Sequence, residues 1–192
     1  MKTLVHYKKQ RVEEFISELS LLNELYIERS FSFDDKLHTF LHEIMEFFEQ
    51  FGETLNSSKV SQLKIYIETA QKGINPQTLE KLRTGKRENI WIASYHLLDE
   101  ISILLQESIT EVEVKISEAR GLVEQVIISA MQLKLISDDD LKKLHTQKEI
   151  AMLWSSLSQN EQVKLIERKL KLSITQEDII ILCDKVCSKI KS

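Results

Sequence analysis

The sequence predicts an all-α fold: a bundle of long helices with a C-terminal cluster of short helices. Proline occurs once (Pro76) and glycine four times (Gly52, Gly73, Gly85, Gly121) in 192 residues. Helix interiors tolerate neither residue well, whereas a sheet protein needs many turn residues. Leu and Ile dominate the apolar set and recur at steps of three and four, the repeat of one helix face. Ser, Thr, Asn and Asp stand where such runs begin, as capping requires.

Residues 5 to 29 form the first expected helix, with Val12, Phe15, Ile16, Leu19, Leu22 and Tyr26 in phase. Ser30-Phe31-Ser32 breaks it, and Ser32 or Asp34 caps the next. That second helix carries Leu37, Phe40, Leu41, Ile44, Phe47, Phe48 and Phe51 on one side and stops at Gly52. A third spans roughly 58 to 72 and stops at Gly73. Asn75-Pro76 then predicts a short helix to Gly85, with Pro at its first position and Ile74 and Leu79 stapling its start.

From Glu88 to Ile116 apolar residues surround the helix axis, the pattern of a helix at the middle of a bundle or in an oligomer interface. Glu111–Ile116 alternates like a strand, but Val112 and Ile116 keep phase with Leu98, Leu105 and Ile109, so helix is expected there too. Helix continues from Glu118 to Ile136, with a kink expected near Gly121. After Ser137 the pattern changes to four short helices. Ser137, Thr146…Glu149, Ser158…Glu161 and Thr175…Asp178 mark their starts, with Ile136/Leu141 and Ile174/Ile179 as staples. Two regions are therefore expected: a long-helix bundle over 1–136, and a short-helix subdomain over 137–192 docked on it, since no flexible linker joins them.

The apolar fraction of 42% and charged fraction of 29% fit a folded globular chain. A net charge of −4 supplies no global attraction to nucleic acid. The first residues lack the apolar core of a signal peptide, and no run is long enough to span a membrane. Cys183 and Cys187 are the only cysteines, so no disulfide framework exists. A cytoplasmic protein without membrane association is the expectation. The two cysteines lie on the apolar flank of the last helix, beside Ile179, Val186 and Ile190, and read as inert core.

Three constellations bear on chemistry. Asp35, His38, His42, Glu46 and Glu49 share a stripe of the second helix, and His96, Glu100, Glu107, Glu111 and Glu118 run along the central one. Histidines four apart beside carboxylates are what a metal ion on a helix needs. A metal site would draw on His38, His42, Glu46, His96 and Glu100, provided the two stripes face each other. Paired di-metal Glu-x-x-His motifs are absent. The stripe of the second helix also lies opposite its apolar set, which places it toward water.

The second constellation is the basic run Lys81, Arg83, Lys86 and Arg87, followed by His96. An arginine upstream of a histidine on a helix resembles the catalytic pair of the HEPN ribonucleases, in which the two are four to six residues apart. Here Arg87 and His96 have eight residues between them, and the polar residue beside the family's arginine is missing. The resemblance, confined to this stretch, implies a phosphate-binding arginine and a general-base histidine. The third is a basic patch at Lys164, Arg168, Lys169 and Lys171. The preceding Leu157-Ser158-Gln159-Asn160-Glu161-Gln162 is similar to the opening of a sigma-like helix-turn-helix. The helix that follows, Ile179-Ile180-Ile181-Leu182-Cys183, is apolar where a recognition helix presents polar side chains to bases.

Phosphate-cradling glycine loops, nucleophile elbows, His-Glu-x-x-His and calcium loops are all missing. The reading is a non-enzymatic helical protein–protein interaction module: an adaptor, scaffold or complex subunit needing no cofactor. Its partner is another protein or a second copy of the chain. A metal-binding bundle and a nucleic-acid-binding or HEPN-like ribonuclease protein are the alternatives.

Overall fold

The computed structural model describes residues 4–191. Those residues form eight α-helices: α1 (Val5–Ile27), α2 (Phe33–Gln50), α3 (Thr54–Gln71), α4 (Lys86–Gln132), α5 (Asp138–Lys142), α6 (Gln147–Leu157), α7 (Glu161–Ser173) and α8 (Gln176–Lys191). The all-α expectation holds. None of these helices is long and apolar enough to cross a membrane.

By packing, the described residues fall into two compact units. One compact unit holds residues 10–109; the other holds residues 1–9 with 110–192. The reason lies in α4, which runs unbroken for 47 residues, through Gly121 and through the alternating stretch 111–116. Its first half, with Leu97, Ile101 and Leu105, buries against α1, α2 and α3. Its second half, with Val112, Val123, Val126 and Ile127, buries against the short helices.

The 10–109 unit has an aromatic interior. Phe15 meets Phe40 and Phe47 edge-on, with ring centroids 6.0 and 5.3 Å apart, an arrangement the ring quadrupoles favour. Trp91 lies 5.0 Å from Phe33 and stacks on Tyr26 at 5.7 Å. Its indole N–H donates to the Tyr26 carbonyl at 3.0 Å, so the ring is buried with its polar atom satisfied. Gly52 (φ +71°) and Gly73 (φ +77°) close α2 and α3 in the left-handed conformation that glycine reaches without strain.

Two local expectations are corrected. No helix forms after Asn75-Pro76. Asn75 Oδ1 accepts from the amides of Gln77 and Thr78 in a local turn. Leu79 is left-handed (φ +59°) and exposed, and an isolated bridge pairs Ile74 with Lys81. The segment is too short, with no buried apolar face, to offset the cost of starting a helix. Likewise Ser158 does not cap α7. It closes α6, and Asn160 caps α7 by accepting from the Gln162 amide at 2.9 Å.

The other unit centres on Trp154, Leu170, Ile179, Leu182 and Val186. Cys183 and Cys187 are buried there with sulfurs 4.0 Å apart. The contact with Cys187 and burial push the Cys183 thiol far above its ordinary range, which keeps it protonated and unreactive. The capping box expected at Thr146/Glu149 forms, and Ser137, expected to start a helix, does so in a capping box with Asp140.

Thr175 and Asp178 form a third reciprocal cap: the Asp178 amide donates to Thr175 Oγ1, and the Thr175 amide and hydroxyl donate to Asp178 Oδ2. Asp178 is fully buried and reaches further. It also accepts from the amides of Val5 (3.0 Å) and His6 (3.1 Å), and His6 Nδ1 lies 2.8 Å from Oδ1. Burial alone raises a carboxyl pKa. Here the His6 side chain, the two amides and the Thr175 hydroxyl outweigh it and hold Asp178 well below the carboxylate range.

Replacing Asp178 with Asn leaves donors facing an amide, and the expected loss is about 3 kcal/mol in urea denaturation. Because the folded pKa is depressed, the stabilisation is complete above the unfolded value of about 4 and is lost as pH falls below it. The acid limb of the wild-type stability profile is therefore steeper than that of Asp178→Asn.

Candidate protein-interaction surface

The helix stripes form first from local geometry: residues three and four apart on a helix share a face. On α2, His38 Nε2 lies 2.7 Å from Gln71 Nε2 of α3 and 3.6 Å from Asp34. The same Gln71 nitrogen donates to Asp34 at 2.9 Å. His42 Nε2 lies 3.4 Å from Glu46 one turn on, with both side chains more than half exposed. On α4, His96 Nδ1 lies 4.0 Å from Glu100, and its ring meets Tyr66 of α3 edge-on at 5.8 Å.

Each histidine therefore faces a carboxylate of its own helix. The two stripes meet α3, at Gln71 and at Tyr66, instead of converging. Among the described residues, no group of three or more His, Cys, Asp or Glu side chains is placed to hold a metal ion.

Arg87 and His96 stand nine positions apart on one helix. That spacing is roughly 14 Å of rise and half a turn of phase, so the two side chains leave opposite sides of α4. Lys81, Arg83 and Lys86 are exposed on the turn segment and the start of α4. Lys164 lies 3.7 Å from Glu161, while Arg168 and Lys169 are exposed on α7.

Arg87 belongs to a different arrangement, which the spacing of charged residues did not reveal. Its guanidinium lies 4.0 Å over the Phe31 ring and 5.4 Å from Trp91, and it donates to the Arg29 carbonyl. Arg29 in turn lies 3.7 Å from Glu88. Arg87, Trp91 and Tyr95 follow at steps of four along α4, one row of a single face. Tyr95 also acts electrostatically on the Tyr26 phenol, whose pKa is raised chiefly by burial.

The outcome is a surface of Phe31, Arg87, Tyr95 and Tyr26 with Trp91 beneath it. Phe31 is 87% exposed and Tyr95 70%. In the sequence Phe31 stands only between Ser30 and Ser32, in a helix-breaking segment. Its partner lies 56 positions on, and no local signal announces the pair.

Arginine and aromatic side chains are the types enriched at protein interfaces and among the residues that dominate binding energy. Comparison with known proteins finds no matching family, no matching characterised sequence and no matching solved structure.

Replacing Arg87 with Ala removes the guanidinium from both rings and from the Arg29 carbonyl. The expected loss is about 1–2 kcal/mol in urea denaturation. Arg87→Lys recovers only part of it, because an ammonium group cannot stack as a plane.

Proposed function

We propose that the chain is a non-enzymatic helical interaction module whose binding surface is the arginine–aromatic cluster on the 10–109 unit. The observation that carries this reading is Phe31. A phenylalanine exposed over most of its surface is held in place by a stacked arginine, with Tyr95 exposed on the same α4 row as Arg87 and Trp91. Burying such rings against a partner removes apolar area from water at roughly 25 cal/mol per Å². The guanidinium, already fixed in place, loses little freedom on binding. The tyrosine hydroxyls and the exposed Arg29 beside Arg87 provide polar groups at the border of the surface, as interface rims have. The reading makes the partner another protein or a second copy of the chain, and assigns the side chains recognition instead of catalysis.

The test compares the wild-type chain with Phe31→Ala/Tyr95→Ala. Both are purified from the native source and weighed by light scattering, with circular dichroism confirming the fold. The wild type is expected to carry a protein partner or assemble with itself, and the double variant to lose that association with its helicity intact. A wild-type chain that is a bare monomer, or an association indifferent to the double substitution, contradicts the reading.

A further inference from the structure

A groove between α1 and α2 is distinct from the Phe31 cluster and shares no residue with it. Its volume is about 330 Å³. Leu22, Leu25 and Phe40 line it, and Leu21 stands at its edge, 60% exposed. Its charges are unbalanced: Glu18, Glu43 and Asp35 border it against Lys36 alone. Glu18 and Glu43 lie close enough to act on each other, and burial together with Glu43 raises the Glu18 pKa. An apolar floor flanked by carboxylates is complementary to an apolar helix flanked by cations.

The same chain carries such a helix. α7 buries Val163 and Leu170 and turns Leu165 (64% exposed) and Leu172 (81% exposed) outward. Arg168 and Lys169 are exposed between those leucines, while Lys164 and Lys171 are paired with Glu161 (3.7 Å) and Glu167 (2.9 Å) of the same helix. Leu165 to Leu172 spans about 10 Å along the helix axis, and Asp35 to Glu43 spans about 12 Å along α2. The lengths match.

We propose that α7 of one copy docks into the α1–α2 groove of a second copy. The two leucines lie over Leu21, Leu25 and Phe40, and Arg168 and Lys169 meet the carboxylates of Glu18 and Glu43. The contact joins two different surfaces, so it is heterologous and extends into rings or chains of copies. The buried area is small and the attraction partly ionic, so the association is weak and decreases as salt rises.

Sedimentation velocity of the full chain, up to millimolar concentration and at low and high ionic strength, reads this directly. Glu18→Lys/Glu43→Lys reverses the groove, and Arg168→Glu/Lys169→Glu reverses the helix. Each double variant alone is expected to weaken self-association by about tenfold or more. Their mixture restores it, because each reversed surface then meets a complementary one. Asp99→Asn/Glu107→Gln, which removes two exposed carboxylates elsewhere, leaves association unchanged. A chain that stays monomeric at every concentration overturns the proposal, as do reversed variants that associate like wild type or a mixture that fails to recover. A monomeric result leaves the Phe31 surface to its own test with other proteins.

Discussion

Asp178 accepts hydrogen bonds from Val5 and His6, 173 and 172 positions away, and from Thr175 beside it, and the unit that joins these segments depends on that carboxylate. An α-helix begins with amides that have no partner inside it. At α8 the Thr175–Asp178 box answers this need locally. At α1 the amides of Val5 and His6 donate to the same Asp178. One negative charge therefore sits at the starts of two helices, where both dipoles favour it. The His6 ring lies 2.8 Å from Asp178, and Val5 adds its side chain to the apolar cluster formed with the second half of α4 and the short helices. Residues 4–9 thus belong with 110–191, although most of α1 belongs to the other unit.

In the 10–109 unit, local pairing decides which side chains remain available to a partner. The histidines of α2 and α4 meet carboxylates one turn away and residues of α3, and these contacts hold them apart. Arg87 behaves differently. It is fixed by two rings and a carbonyl, yet it and Phe31 remain exposed. A side chain fixed before binding suits recognition, because its ordering cost is met in folding.

Much of the architecture was legible in the residues. The apolar phases of α1, α2 and α4, the glycine stops at Gly52 and Gly73, and three of the capping boxes depend on neighbours within one or two turns. Sequence spacing records such neighbours directly. Asn75-Pro76 misled because the same Asn that starts a helix also closes a turn, and only buried area decides between them. Ser158 misled because Asn160, two positions on, competes for the same cap.

The division of the chain was less legible than the helices. An unbroken α4 bears two cores, and helical periodicity reads the same on both sides of residue 110. The candidate surface was half visible. Arg87 stood out as a charge in a basic run, but the Phe31 that makes it part of a recognition surface comes from another segment. Leu21, Leu165 and Leu172 read as ordinary members of apolar phases, and only their exposure separates them from the core.

Native-state hydrogen exchange at individual amides tests the central claim most directly. First-turn amides of a helix have no partner inside it and ordinarily exchange at close to unprotected rates. If Asp178 binds the start of α1 to α8, the amides of Val5 and His6 exchange as slowly as the core amides of α8, with the same opening free energy. Fast exchange at Val5 and His6, while α8 stays protected, would contradict the account.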